Sequence, residues 1–231
     1  PPYDNPRGRS VLFGGKDPLG QSRGDTWIWD ISPWAQVTPA AAPSSRHDHS
    51  MVSDVGNGNV VLFGGLASGS AQNDTWLWNG TSWSLASPTS RPSARYAHGM
   101  AYDSVRGRVV LFGGSLPTGA LLNDTWEWNG SPPNPNWQQV TTPSMPLARA
   151  DHAMTYDSAR SQVLLYGGRT TPSLYNQEIW SYDGVTWTNR TPTTGVQPGL
   201  RGSVGFVFDP RLNKAFVYGG QVRASGFLAP V

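Results

Sequence analysis

The chain has no cysteine among its 231 residues, so it can form no disulfide framework and carries no thiol nucleophile. Charged residues make up only 14%, well below the usual share of about 25% in globular proteins, and the formal net charge is +2. The basic residues are scattered rather than clustered, and we therefore predict no nucleic-acid partner. No apolar run approaches the length of a membrane span, so membrane insertion is not expected.

Turn-forming residues are abundant. The chain contains 27 Gly and 20 Pro, which is typical of a turn-rich all-β protein. It begins at Pro1 without Met or a signal peptide, which we interpret as a processed or partial chain. The lack of cysteine together with the low charge favours a secreted protein, and the predicted location is extracellular or on the cell surface.

Two short motifs recur at a nearly constant interval. The first is VLFGG or a close variant, and its second glycine is Gly15, Gly65, Gly114, Gly168 and Gly220 in successive copies. The steps between these glycines are 50, 49, 54 and 52 residues. The second motif, DTWxW, follows the first in three copies, and EIWSY follows it in a fourth. A period of this size is typical of stacked supersecondary units that bury their apolar faces against one another.

Each full copy is predicted to contain four strands, which we label A to D in chain order. Strand B is the VLF run, apolar on both faces, and the glycine pair at its end predicts a bulge, positive φ or a close backbone approach. Strand C is the WxW segment and strand D carries a further Trp. An Asp lies 10 residues before the first glycine of each pair, where it is expected to open the A–B hairpin. The first copy supplies strands B to D and the last supplies A and B, which gives seventeen strands.

A strand ending in GG, a Trp-bearing strand and a second Trp, repeated at about 50 residues, resemble the Kelch repeat. The DTWxWNG copies are most similar to bacterial Kelch-repeat proteins of unassigned function, and the repeats of the galactose oxidase group are similar too. The resemblance implies an all-β fold, a Kelch-type β-propeller of four-stranded antiparallel blades with about five repeats visible. Seventeen is not a multiple of four, which indicates a segment of a larger ring of six or seven blades or, as the alternative, a closed ring of five. We predict one domain over 1–231, with partial repeats at 1–45 and 201–231 and full repeats at 46–94, 95–148 and 149–200.

Four arginines form the main candidate site, because each lies 18 residues before the first glycine of the following pair. They open strand A, the innermost strand of a propeller blade, and are expected to form an arc around one mouth of the channel. If they are free, they can bind an acidic ligand bidentately. Alternatively, they pair with the carboxylates that precede strand C, as buried arginines normally do. The candidate ligand-binding residues are Arg46, Arg95, Arg149, Arg201 and the neighbouring His47 and Tyr96.

Other repeated residues are assigned to the core. His49, His98 and His152 each lie three residues after one of the arginines, but the fifth copy has Val204 at that place. We therefore predict hydrogen-bonded core histidines and no metal site, and we expect His47, outside this pattern, to be exposed. All 11 Trp belong to the repeat, which favours an inter-blade core over sugar-binding platforms. No Ser-His-Asp order, phosphate loop or dinucleotide fingerprint is present, so no catalytic residue and no cofactor is predicted.

These patterns predict a non-catalytic binding module. The B–C and D–A loops are long, differ between copies and share one end of the blades, so the predicted site is this loop face. The ligand is predicted to be a protein, a peptide or a glycan, and the sequence does not give the oligomeric state. One alternative is an enzyme domain of the galactose oxidase kind, with the metal site incomplete in this segment because its thioether-linked Cys is missing. The other is a structural repeat array of a surface protein.

Overall fold

The chain is all-β in a computed structural model that describes residues 1–31 and 33–221. Five sheets contain the strands β1 (Tyr3–Asp4), β2 (Arg9–Lys16), β3 (Ser22–Trp29) and β4 (Ala35–Val37); β5 (Ser50–Asp54), β6 (Asn59–Phe63), β9 (Thr75–Trp78) and β10 (Trp83–Leu85); β11 (Gly99–Asp103), β12 (Arg108–Ser115), β13 (Leu121–Asn129) and β14 (Asn136–Val140); β15 (Ala153–Asp157), β16 (Gln162–Tyr166), β17 (Ile179–Tyr182) and β18 (Trp187–Asn189); and β19 (Gly205–Asp209) and β20 (Lys214–Tyr218). A two-stranded hairpin, β7 (Leu66–Ala67) and β8 (Ser70–Ala71), lies between β6 and β9, and a 3-10 helix spans Asn5–Arg7. No helix among the described residues could cross a membrane.

The five sheets are propeller blades, which we number 1 to 5. Within each of blades 1 to 4 the strands run antiparallel in the spatial order A, B, C, D, as predicted. The A strands of successive blades contact one another, which places strand A innermost. Among the described residues the blades contain one strand more than the seventeen expected, because Tyr3–Asp4 pairs with Arg9 and Ser10 and gives blade 1 its own A strand.

The repeated Asp opens the A–B hairpin as predicted. In blade 3, one carboxylate oxygen of Asp103 accepts hydrogen bonds from the backbone N–H groups of Val105 and Arg106, both at 3.1 Å. The carboxylate thereby satisfies donors that the tight turn leaves without a strand partner. Asp157 does the same for Ala159 and Arg160 in blade 4.

The glycine pairs allow neighbouring blades to approach closely. In blade 3, Gly113 and Gly114 have φ of 61° and 103°, and the register of β12 against β13 shifts between Phe112 and Gly114. A Cβ atom on Gly113 would lie 2.7 Å from the carbonyl oxygen of Arg149, at the start of blade 4. The predicted bulge, positive φ and close approach are therefore all present.

Aromatic side chains fill the interfaces between blades, as predicted for the tryptophans. The strand D indole N–H of each inner blade crosses to the preceding blade: Trp83 donates to Thr26 at 3.1 Å, Trp137 to Thr75 at 2.9 Å and Trp187 to Thr125 at 3.0 Å. Burying a large apolar ring while satisfying its one donor makes the contact both strong and directional. Trp29 and Trp34 of blade 1 depart from the prediction and are exposed.

Strand A side chains from all five blades line a central channel of about 980 Å³. In the described part of the chain the outer flanks of blades 1 and 5 do not cover each other, since Trp34 is 44% and Tyr218 is 85% exposed. The described residues therefore form an open arc of blades, and not the closed ring of five that was the alternative prediction.

Candidate functional site

The two sets of variable loops meet at one end of the propeller. Each D–A loop donates a backbone hydrogen bond to the B–C loop of the preceding blade, from the N–H of Arg46 to Arg23 (2.9 Å), Arg95 to Gln72 (3.1 Å), Arg149 to Leu122 (3.0 Å) and Arg201 to Asn176 (3.3 Å). This end is the predicted loop face, and the strands hold its loops in a fixed order around the channel mouth.

A row of backbone hydrogen bonds between successive blades forms the rim of this mouth. Asp48, Ala97, Asp151 and Ser203 occupy equivalent positions and all have positive φ, between 54° and 59°. Ala97 N–H donates to Asp48 (2.8 Å), Asp151 N–H to Ala97 (2.9 Å) and Ser203 N–H to Asp151 (2.8 Å). Non-glycine residues rarely adopt this conformation, so the inter-blade bonds maintain it. Nothing in the sequence indicated this rim beyond the equivalence of the four positions.

Three of the four candidate arginines are bound by the protein itself. The guanidinium of Arg95 forms two 2.7 Å hydrogen bonds to the carboxylate of Asp124 and donates to the carbonyl of Gly113 at 2.9 Å. Ser93 accepts its remaining donors through the backbone carbonyl and the hydroxyl. Arg46 pairs in the same way with Asp74, whereas Arg149 makes a single 2.6 Å hydrogen bond to Glu178 and donates to the carbonyl oxygens of Gly167 and Leu147. All three arginine side chains are at most 1% exposed. The structure therefore shows the second predicted alternative for these three residues, in which the arginines pair with the carboxylates that precede strand C.

The carboxylates of these pairs are held ionised. Burial raises the pKa of Asp124, but the hydrogen bonds from Arg95 and the Trp126 indole lower it by more than burial raises it. The pKa of Asp124 is therefore below its usual value of 3.8. The same balance lowers the pKa values of Asp74 and Glu178. Each of these three arginines is therefore neutralised by the carboxylate that it contacts.

Arg201, in contrast, has no carboxylate partner among the described residues. Its guanidinium donates to the carbonyl oxygens of Gly219, at 3.1 Å, and of Pro198, and the side chain is half-buried.

His47 and Tyr96 follow Arg46 and Arg95, so they occupy equivalent rim positions on blades 2 and 3. The Nδ1 atom of His47 hydrogen-bonds with the Ser22 hydroxyl at 2.8 Å, and its side chain is 13% exposed. The expectation that His47 is exposed is therefore wrong, because Ser22 and the adjoining loop cover it. Tyr96 is half-buried. With Arg201 on blade 5, these residues are spread around the mouth and not gathered into one cluster, and their role in ligand binding stays a prediction.

Of the three repeated histidines, His98 and His152 are buried, as predicted, and His49 is half-buried. Burial and the adjacent arginines lower the pKa to about 4 for His49 and to about 3 for His152, and the pKa of His98 also falls well below 6.5. All three are therefore neutral at physiological pH. The expected hydrogen bond forms for His152, whose Nε2 accepts from the N–H of Gly99 at 3.2 Å. It does not form for His98, whose ring packs edge-on against Phe63 and finds no partner among the described residues.

The loop face also carries exposed leucines that we did not predict. Leu147, Leu174 and Leu200, which we call the aliphatic loop patch, are 66%, 53% and 44% exposed. Their loops adjoin, because Ala150 pairs with Arg169, Arg169 pairs with Tyr175, and the Tyr175 ring lies against Gly202. The signal in the sequence was a departure from the repeat: Leu147 stands where Ser44 and Ser93 accept hydrogen bonds from their arginines.

Comparisons with known proteins agree with this architecture. The model of a family described as the KLHDC2/KLHL20/DRC7 Kelch-repeats domain matches residues 78–225. Among solved structures, the chain is similar to one described as "Structure of YjhT", with a TM-score of 0.72 and 15% sequence identity over 94% of this chain and 75% of that chain. At this identity the likeness concerns the fold alone. No curated protein matches the chain.

Proposed function

The chain belongs to the Kelch-repeat family, and from this premise we propose that it is a non-catalytic binding module whose ligand, a protein or peptide, docks on the loop face. Kelch-repeat domains generally mediate protein interactions. The framework of paired arginines and rim hydrogen bonds gives the variable loops a rigid support, and function is commonly placed on loops that a rigid scaffold holds.

The aliphatic loop patch is the observation that carries the choice of ligand. Three leucines from adjoining loops are at least 44% exposed on one side of the channel mouth. Clustered exposed apolar side chains mark interaction sites, and apolar side chains of a peptide are their natural complement. A glycan is less well supported, because the rings on which a sugar would stack are covered: Trp83, Trp137 and Trp187 are at most 2% exposed and Trp126 is 9% exposed.

The charge preference of the site follows from the arginine pairing. Since Arg46, Arg95 and Arg149 are neutralised by their partners, these three arginines do not favour an acidic ligand. We therefore place apolar side chains of the ligand across Leu147, Leu174 and Leu200.

The test uses peptides selected from a random displayed library against the purified chain. The affinity of a selected peptide is measured by calorimetry for the wild type, for Leu147→Asp with Leu174→Asp, and for Val105→Asp with Val185→Asp. The second pair is a matched control, because Val105 and Val185 are 69% and 67% exposed at the opposite end of the propeller. We expect the leucine variant to bind at least about tenfold more weakly and the control to bind normally. Loss of binding in the valine variant alone would place the site on the opposite face.

A further inference from the structure

The four methionines of the chain lie in two different environments. Met51, Met100 and Met154 occupy equivalent positions on the inner strands of blades 2, 3 and 4, where they line the central channel. Met100 is 6% exposed and the other two are half-buried. Met145 lies instead in the D–A loop that precedes blade 4, on the loop face, and is 40% exposed. It is therefore the methionine that a reagent in solution reaches most easily.

The position of Met145 varies between copies, although its surroundings repeat. Each D–A loop has a proline three residues before the repeated arginine, and the residue that precedes this proline is in turn Ala42, Arg91, Met145 and Gln197. The carbonyl oxygen of Ser144 accepts a hydrogen bond from the N–H of Trp187 at 3.3 Å, which ties the loop to blade 4. A variable side chain on a fixed backbone favours a role in binding or regulation over a role in the fold.

The sulfur of Met145 has a polar neighbour. The side-chain amide N–H of Asn123, in β13, donates to the Sδ atom at 3.4 Å. Asn123 is itself exposed, so this contact holds the sulfur at the surface and does not bury it. A thioether is a weak hydrogen-bond acceptor, whereas oxidation to the sulfoxide makes the side chain polar and adds an oxygen acceptor. The amide that contacts the sulfur is thus placed to stabilise an oxidised methionine.

We propose that Met145 is a reversible oxidation site whose oxidant is a peroxide, and that its sulfoxide weakens ligand binding at the aliphatic loop patch. The sulfur lone pair attacks one oxygen of hydrogen peroxide, the O–O bond breaks and a sulfur–oxygen bond forms. The sulfur loses two electrons, and the second oxygen of the peroxide takes up the protons and leaves as water. Methionine sulfoxide reductases return the thioether, so the change is reversible.

The effect on binding rests on the function proposed above. Met145 is two residues from Leu147, which is the most exposed leucine of the aliphatic loop patch and lies in the same loop. An apolar side chain of a ligand at this loop meets a thioether in the reduced protein and a polar sulfoxide in the oxidised protein. A polar group that loses its water without gaining a hydrogen-bond partner costs free energy. We therefore expect the oxidised protein to bind apolar ligands more weakly.

Peptide mapping by mass spectrometry tests the oxidation site without reference to any ligand. The purified chain is treated with hydrogen peroxide, and the gain of one oxygen atom is followed with time at each of the four methionines. We expect Met145 to be oxidised at least about tenfold faster than Met100, because susceptibility follows exposure. Oxidation of any of the three channel methionines as fast as that of Met145 would overturn the proposal.

Calorimetry with the library-selected peptide described above, added after catalase has removed the peroxide, tests the effect on binding. We expect oxidation to weaken binding to the wild type about fivefold or more, and a sulfoxide reductase to restore it. The affinity of Met145→Leu should be the same before and after peroxide treatment, because leucine is not oxidised. Full oxidation of Met145 without loss of affinity would overturn the proposal. A library that yields no peptide sensitive to Leu147→Asp with Leu174→Asp would refute the proposed function and the effect on binding together, while the peptide map still decides the oxidation site.

Discussion

At the residue scale, each buried arginine joins two neighbouring blades. The carbonyl oxygen of Arg95 accepts from the N–H of Gly65 in blade 2 at 2.9 Å, and its N–H donates to Gln72 of the same blade. Its side chain turns the other way, to Asp124 and Gly113 of blade 3. All five guanidinium donors have acceptors, which is the condition under which a buried ion pair is stable.

The substitution Arg95→Met tests this role. It leaves Asp124 ionised in a partly buried place without its cation, and leaves the carbonyl of Gly113 without its side-chain donor. We expect a loss of about 3–5 kcal/mol in the free energy of unfolding, measured by chemical denaturation. Arg201→Met is the matched control, since Arg201 has no carboxylate partner among the described residues, and should change stability by about 0.5 kcal/mol or less. Equal effects of the two variants would mean that the pairing with Asp124 contributes little.

At the element scale, the bulge at the end of strand B decides how closely two blades can approach. Gly113 meets the backbone of Arg149 and Leu122, and a Cβ atom there would lie 2.7 Å and 3.0 Å from their carbonyl oxygens. Backbone atoms held in a hydrogen-bonded rim cannot move aside cheaply. The first glycine of the pair is therefore required by packing as well as by its positive φ in blades 1 to 4, where Gly14, Gly64, Gly113 and Gly167 all lie against backbone oxygens.

Gly107 and Gly113 have nearly the same φ, so substituting them separately distinguishes the cost of backbone strain from the cost of packing. Gly107, in the A–B turn of blade 3, has φ of 63°, and a Cβ atom there would have no neighbour within 4 Å, while Gly113 has φ of 61°. We expect Gly107→Ala to cost about 1 kcal/mol from backbone strain alone. Gly113→Ala should cost about 1–3 kcal/mol more, because blade 4 must shift. Equal losses in chemical denaturation would show that the blades are loosely packed at the bulge.

At the scale of the whole molecule, three neutral histidines lie at the start of the inner strands of blades 2, 3 and 4. Their rings pack against the aromatic residue that ends strand B of the preceding blade, with centroid distances of 5.8 Å for His49 and Phe13, 5.5 Å for His98 and Phe63, and 5.7 Å for His152 and Phe112. Protonating any of them places an unpaired charge in an inter-blade interface beside an arginine, so all three blade contacts depend on pH.

This arrangement predicts a loss of stability in mild acid. The folded pKa values of the histidines lie below the usual 6.5, so the unfolded chain binds protons first and stability falls as pH drops below 6.5. Each histidine contributes a slope of up to about 1.4 kcal/mol per pH unit. The lowered pKa values of Asp74, Asp124 and Glu178 act separately, because their contribution is lost only below the usual values of 3.8 and 4.5.

The free energy of unfolding, measured between pH 6.5 and 4.5, therefore reports mainly on the histidines. We expect a steady decline for the wild type and a shallower decline for His152→Gln, which removes one titrating group. A free energy that stays level across this range would show that the imidazoles can accept protons without disturbing the blades.

The sequence by itself determined the repeat, the four-stranded antiparallel blade, the glycine bulge and the burial of His98 and His152. These features are local, because every copy needs the same strand periodicity and the same close approach between the backbones of neighbouring blades. Both requirements can be read from the constant spacing of residues such as Asp103 and Gly113. The shared end of the B–C and D–A loops also followed from strand direction alone.

The tertiary structure determined which neighbouring residues each copy of the repeat contacts. Trp34 and Trp83 are equivalent in the sequence, yet they are 44% and 2% exposed, because only Trp83 has a preceding blade against it among the described residues. Arg95 and Arg201 are equivalent too, but only Arg95 finds a carboxylate there. The aliphatic loop patch depends on three loops that adjoin only once the blades are stacked. The repeat determines which side chains each blade carries. Whether a side chain is buried, paired or exposed depends on the neighbouring blade that packs against it. The arrangement of the blades in space decides which blade that is.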